Sequence, residues 1–275
     1  MAPLSSAPSP VADRGANPDR GFKTIVITGA SSGIGAALAR SLAAPGRTLA
    51  LLGRNAARLE AVAVACRSKG ALCRTASIDA SDTEPLSAFL EEVGRETAID
   101  LLVANAVILE GRSADEIVER GSVARRVLET NLLATLDVVH LVLPEMRRNR
   151  RGSIVLVASL ASLVPLPDAP AYSASKAGLL SYGLALRDAV AAEGVRVVVA
   201  CPGFVATAMA DRHLGPRPGE ISADDAAERI LSGLHRNKGM TGFPLIPFWM
   251  SRLSLLVPEW VRRRGMRNSR FHVGS

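Results

Sequence analysis

From Phe22 onward the chain alternates between two textures. Short, nearly unbroken apolar runs cover 24–28, 48–52, 72–78, 99–104, 153–158 and 195–200. Between them, at 35–44, 56–69, 81–97, 123–148 and 171–192, apolar residues recur at helical spacing. The punctuation agrees: Pro45-Gly46 closes the first helical stretch, Gly70 the second, and Pro202-Gly203 stop the sixth run. Continuous apolar strands separated by helices predict a parallel sheet covered on both faces. Right-handed crossovers then make it a doubly wound, Rossmann-type α/β fold. After the sixth strand, 204–220 is rich in Gly and Pro without a period and is expected to form a lid. Ser222, three residues before Asp225, is expected to cap one more helix.

Composition narrows this picture. The 275 residues fit a single α/β domain, expected over 22–242. Aromatics make up only 4 %, so the core is built from Ala, Val, Leu and Ile. The Pro-, Ser- and Ala-rich stretch 1–21 has no basic start followed by an apolar run; it is read as a disordered extension rather than a secretory signal. Three cysteines, Cys66, Cys73 and Cys201, cannot pair completely, which points to a reducing cytoplasm. No uninterrupted apolar run reaches the ~18 residues of a membrane span. The net charge of +7 is uneven: from Ser251 to Ser275 there are six arginines and one acid, Glu259, so the body is nearly neutral. That basic run lacks a nucleic-acid-binding module, and nucleic acid is not an expected partner. A second cluster, Arg147, Arg148, Arg150 and Arg151, is read as a solvated helix cap.

The chemistry begins where the first strand runs into Gly29-Ala-Ser31-Ser32-Gly33-Ile34-Gly35. Glycines there allow a tight turn and close approach to a pyrophosphate, with the next helix presenting its N-terminal N–H groups. The second strand ends Leu51-Leu52-Gly53-Arg54, with no acid to accept from a ribose 2′-OH and a guanidinium able to hold a 2′-phosphate. NADP(H) is therefore expected over NAD(H). Tyr172 and Lys176 lie four apart and share one helical face. Ser159 falls just past the fifth strand, at the sheet edge where doubly wound folds bind ligands. A serine hydroxyl, a phenol and an ammonium gathered there form a proton-transfer arrangement.

With these pieces in place the chain resembles the short-chain dehydrogenase/reductase family over about 22–240. The matching elements are Thr28-Gly29-Ala-Ser-Ser-Gly33-Ile-Gly35, Ala104-Asn105-Ala106, Asn131, Ser159, Tyr172-Ser-Ala-Ser-Lys176 and Pro202-Gly203, in family order. The resemblance implies nicotinamide chemistry with Tyr172 as general acid/base, Lys176 lowering its pKa and binding the nicotinamide ribose, and Ser159 bonding the substrate oxygen. Asn131 would anchor a proton-relay water at Lys176. Asp79 with Ala80 would meet the adenine, and Thr207, after Pro202-Gly203, the carboxamide. The glycine loop with Ser31, Ser32 and Ile34, together with Asn105, would complete the cofactor site. The resemblance also implies a homodimer or homotetramer paired through the long helices near 123–148 and 171–192. No metal is expected. Val107 departs from the pattern by standing where the family has glycine, and β-branched residues resist φ > 0.

The implied reaction is hydride transfer between NADP(H) and a carbonyl or alcohol of a hydrophobic small molecule. A 3-oxoacyl-carrier-protein reductase is an alternative. A non-catalytic Rossmann module that only binds cofactor is another, supported by Val107 alone. The appendage 243–275 carries GFPLIPFWMSRLSLLV over 242–257, with Pro244, Pro247 and Pro258 bounding about ten helical residues, followed by Trp260 and Arg262-Arg-Arg264. It is expected either to pack over the substrate pocket or a neighbouring subunit, or to make peripheral contact with the inner face of a membrane.

Overall fold

A computed structural model describes residues 21–254, 258, 260 and 271–273; the extension expected over 1–21 lies outside these, Gly21 excepted. Strands β1 (Thr24–Thr28), β2 (Thr48–Leu52), β3 (Leu72–Ala76), β4 (Leu101–Ala104), β5 (Gly152–Val157), β6 (Val195–Pro202) and β8 (Met240–Phe243) form one sheet. Their order is β3-β2-β1-β4-β5-β6-β8, and every pair is parallel. The order reverses between β1 and β4, which opens a crevice at their carboxyl ends. A separate antiparallel pair joins β7 (His213–Leu214) to β9 (His272–Val273).

Alternation along each strand sorts the core into two layers. Ile25, Ile27, Leu101, Val103, Val155 and Val198 face α1 (Gly33–Leu42), α2 (Ala56–Arg67) and α7 (Ala223–His235). Val26, Leu102, Ile154, Leu156, Val197 and Val199 face α3 (Thr83–Glu96), α5 (Ala134–Arg148) and α6 (Pro170–Ala189). With few aromatics the layers close through small residues. A Cβ on Gly183 of α6 would lie 2.4 Å from Val199 Cγ2 and 2.8 Å from Leu156 Cδ1, so α6 sits hard against the sheet. That contact sets the depth at which α6 presents its N-terminal residues.

Several expectations are adjusted. The helix expected over 123–148 is α4 (Gly121–Leu128), a π turn (Glu129–Leu133) and α5. As one continuous stretch, Gly121–Arg148 is long and apolar enough to cross a membrane by length and composition. Its apolar side packs against α3, α6 and the sheet, as a core helix does. The arginine cluster is not merely solvated: Arg147 pairs with Glu193, and Arg151 Nε donates to the buried Asp100 Oδ1 at 3.0 Å. Strand β8 was not foreseen, and the expected boundary at 242 falls inside it. Beyond it, α8 (Leu245–Ser254) buries Phe248, and Phe271 is also buried, so the described part of the appendage belongs to the same unit. Ser222 caps α7 as expected, accepting from Asp225 N at 3.0 Å.

Candidate active site

The loop after β1 is held by sterics and by one asparagine. Gly29 (φ +66°) and Gly33 (φ +53°) take left-handed backbone that other residues resist. A Cβ on Gly35 would lie 2.3 Å from the Gly29 carbonyl oxygen. Asn105 N and Ala106 N both donate to Thr28 Oγ1 at 3.0 Å, and Asn105 Nδ2 donates to the Thr28 and Gly29 carbonyls at 3.2 Å. Asn105 thus fixes the loop with its side chain while bordering the crevice. The result is a cradle with helix α1 starting at its rim, the arrangement a dinucleotide pyrophosphate requires.

From this cradle a cleft of about 420 Å³ runs past Ser31, Ser32, Ile34, Gly53, Arg54, Asp79, Ala80, Asn105 and Thr207. The expected residues of the glycine loop other than Gly35, and those of the second and third strand ends, therefore border one cavity. Arg54 is largely exposed and pairs loosely with Asp79 at 3.7 Å. Arg58, which the sequence reading missed, lines the same end through its place one turn on in α2. Its spacing of four from Arg54 was the available signal. Thr207 Oγ1 accepts from Ala210 N at 3.2 Å, and its methyl would be 2.9 Å from a Cβ on Gly33.

A second cleft of about 360 Å³ meets the first at Ile34, Asn105, Val107, Thr207 and Met209. Ser159, Tyr172 and Lys176 lie in it, with Pro202 and Gly203 at its border. Burial pushes the Tyr172 phenol above its usual pKa, and the Ser159 hydroxyl opposes that rise. Lys176 is buried, donates to the Val157 carbonyl at 2.9 Å, and has its ammonium 5.9 Å from the centre of the Tyr172 ring. Burial lowers its pKa to about 8. In the protein alone, burial is the larger influence on the phenol.

Asn131 sits in the π turn, a local widening frequent at functional sites. Its Oδ1 accepts from Ile108 N at 2.8 Å, and its Nδ2 donates to Ile108 O at 2.9 Å and Ser175 Oγ at 3.4 Å. With both ends of the amide engaged, its side chain positions the loop at Ile108, after β4, and α6; it makes no direct bond to Lys176 among the described residues. Glu119, also missed from sequence, is buried and accepts from Ala171 N at 2.6 Å, capping the helix that carries Tyr172. Val107 borders both clefts without positive φ, so the valine costs no backbone strain there.

The walls of the second cleft are apolar, with Leu109, Leu160, Val164, Leu166, Phe204 and Val205 prominent. The lid foreseen over 204–220 supplies Phe204, Met209, His213, Pro216 and Pro218. The His213 ring lies 4.9 Å from Phe204 and 4.1 Å from Phe271, centre to centre. Phe271 is drawn in by the fully buried Asp168, whose Oδ2 accepts from Phe271 N at 3.0 Å while Oδ1 accepts from Arg112 Nε at 2.5 Å. No local signal marked Phe271, a lone aromatic after an arginine run. Both roles foreseen for the appendage bear on α8: Pro247 and Ser251 line this cleft, so packing over the pocket is met.

A glycine cradle, a hydroxyl pair and a buried lysine at the carboxyl edge of this sheet define a nucleotide-binding Rossmann-fold oxidoreductase. The sequence model of the family described as short chain dehydrogenase matches residues 23–215, and the chain belongs to that family. It is 30 % identical over 240 residues to an uncharacterized oxidoreductase of Myxococcus xanthus, covering 86 % of this chain and 94 % of that one. It is 35 % identical over 214 residues to a monensin polyketide synthase putative ketoacyl reductase of Streptomyces virginiae, covering 76 % and 79 %. Estradiol 17-beta-dehydrogenase 11 of Mus musculus is 30 % identical over 242 residues, covering 86 % and 80 %. Among solved structures, carveol dehydrogenase from Mycobacterium avium in complex with NAD superposes with a TM-score of 0.72 at 22 % identity, over 80 % of this chain and 95 % of that one, a likeness of fold. The family uses NAD(P)(H), and the cradle fits such a dinucleotide.

Proposed function

We propose that the protein transfers hydride between NADP(H) and a carbonyl or alcohol of a hydrophobic small molecule. The observation that carries this reading is the Ser159–Tyr172 hydroxyl pair, backed by Lys176, in an apolar cleft that opens onto the glycine cradle. A nicotinamide dinucleotide held by the glycine loop, Asp79 and Thr207 would supply or accept the hydride. The protein's own part is the proton. A carbonyl oxygen in the cleft accepts from the Ser159 and Tyr172 hydroxyls, and Tyr172 gives up its proton as charge builds on that oxygen. The phenol is protonated at neutral pH, as a donor must be, and its raised pKa makes stabilising the phenolate the demanding part of the step. Lys176 stabilises the phenolate left behind. Apolar walls exclude water and strengthen each of these interactions.

The test is NADPH oxidation against ketones, aldehydes and β-ketoacyl thioesters. Turnover of apolar ketones is expected; no turnover of any carbonyl would overturn the reading. A second reading, 3-oxoacyl-carrier-protein reduction, is favoured by the Streptomyces virginiae relative and would appear as a strong preference for thioesters.

The pH profile follows from Lys176. Its amine titrates at about 8. Below that pH the ammonium is present to stabilise the phenolate; above it the neutral amine is not. Reduction rates are expected to fall as pH rises through about 8, and a profile flat across that range would contradict the assigned role.

Cofactor choice rests on Gly53 and Arg54, with Arg58 beside them. A charge-assisted hydrogen bond to a 2′-phosphate contributes about 1.5–3 kcal/mol, or roughly 10- to 150-fold in affinity. NADP(H) is expected to bind at least tenfold more tightly than NAD(H), and Arg54→Ala to remove most of that preference. Titrating both cofactors checks it; equal affinities in the unmodified protein would overturn it. Gly53→Asp is a poorer probe, because its Cβ would lie 3.1 Å from Ser31 Oγ, which must give way by a few tenths of an ångström.

We also propose a homodimer or homotetramer joined through α5 and α6. Leu133, in the π turn before α5, and Leu184 of α6 are exposed apolar residues of these two helical stretches. Sedimentation is expected to give a dimer or larger at micromolar concentration, and a monomer alone would refute the pairing.

A further inference from the structure

Helix α8 presents two unlike faces. One turns inward: Phe248 is buried against the body, with its ring where a Cβ on Gly242 would stand, and Pro247 and Ser251 border the substrate cleft. The other is apolar and bare. Leu245, Ile246, Trp249, Met250 and Leu253 are each more than half exposed, and their spacing of one, three and four places them along one side of the helix. The helix contains no acidic residue, and Arg252 stacks over the Trp249 ring at 6.0 Å. Soluble surfaces scatter such side chains singly; five on one face mark an interaction site.

Three features decide what covers it. Both tryptophans of the chain, Trp249 and Trp260, are exposed here, at 54 % and 72 %. Tryptophan favours the boundary between water and lipid, where its ring is apolar and its N–H is wet. Five of the seven net positive charges of the chain fall within Ser251–Ser275. A second copy of this chain would bring the same excess of positive charge to the contact, which repels. An anionic surface attracts it.

We propose that α8 docks the protein onto an anionic lipid surface through its bare face. The helix lies in the interface plane, its bare face in the headgroup–acyl boundary and Arg252 at the phosphates. The same helix walls the cleft through Pro247 and Ser251, so docking would bring the cleft close to the layer in which an apolar substrate dissolves. That use of the docking rests on the reductase reading above; the docking does not.

Flotation of the full-length protein with vesicles tests the docking. One set is phosphatidylcholine alone and the other contains about one third phosphatidylglycerol. Binding to the anionic set is expected to exceed that to the neutral set at least about tenfold and to weaken in high salt, since each arginine near the surface contributes several-fold. Tryptophan fluorescence should shift to the blue on binding, because Trp249 lies on the docking face. The variant Ile246→Ser/Trp249→Ser/Met250→Ser/Leu253→Ser should lose at least about tenfold in vesicle binding, with melting temperature and turnover of a water-soluble ketone retained. Failure of the unmodified protein to float, or equal flotation of the variant, would overturn the proposal. So would a solution dimer that the variant dissociates with no change in vesicle binding, which would make this face a contact between copies. Flotation without turnover of any carbonyl would sink the reductase reading and leave the docking standing.

Discussion

Replacing Tyr172 by phenylalanine is expected to lower turnover by about 10²–10⁴-fold while NADPH still binds, because the substitution removes a proton donor and keeps the ring. The half-buried ring packs with Ile108 and with Val127 of α4 and lines the cleft, so its shape is part of the packing and phenylalanine preserves it. The hydroxyl is the only atom lost, and its partner Ser159 keeps the backbone donor Ala161 N at 3.1 Å, so the cleft does not collapse. Ser159→Ala should cost less, since it removes one donor to the substrate oxygen but not the proton that is transferred. Single-turnover reduction in both variants separates these roles. Unmodified turnover in Tyr172→Phe would remove the phenol from the mechanism.

Gly35→Val is expected to weaken cofactor binding by about tenfold to a hundredfold or more and to lower the melting temperature. The added Cβ would stand 2.3 Å from Gly29 O and 2.7 Å from Asn105 Nδ2. The first is backbone, and it cannot yield without moving the left-handed residue that shapes the cradle. The second is the amide that clamps the loop to Thr28 and Gly29. Overpacking of this kind costs about 1–3 kcal/mol, and at 1.4 kcal/mol per tenfold that is the range given. Gly121→Ala is the control, because a Cβ there meets nothing within 4 Å at the start of α4. Its cofactor affinity should match the unmodified protein. Cofactor titration and thermal melting of the three proteins decide the matter; equal affinity in Gly35→Val would show that the loop has another way to hold its ligand.

What could be read from the chain alone was whatever rests on local pattern. Continuous apolar runs such as 24–28 and 195–200 bury on both sides wherever they are placed, so they announced parallel strands, and the helical spacing between them left few topologies. The glycine loop was legible for a related reason: its job is set by backbone conformation, which neighbours in sequence control. The same holds for Tyr172 and Lys176, because spacing of four on a helix guarantees one face.

The tertiary structure decided the rest, and each case involves partners distant in sequence. Strand β8 is four residues with a glycine inside; only β6 beside it makes Met240–Phe243 a strand. The break in the 121–148 helix comes from Asn131 bonding to Ile108, 23 residues away. The rise in the Tyr172 pKa is a matter of burial, which no spacing reveals, and Lys176 meets the Val157 carbonyl because α6 lies hard against the sheet. Phe271 reaches the cleft across 103 residues on the strength of one buried carboxylate, Asp168. The order of apolar residues determined the sheet, the cradle and the face that carries the phenol; burial and long-range hydrogen bonds, which exist only once the chain has closed on itself, decided the acidity of the site and the shape of the space it works on.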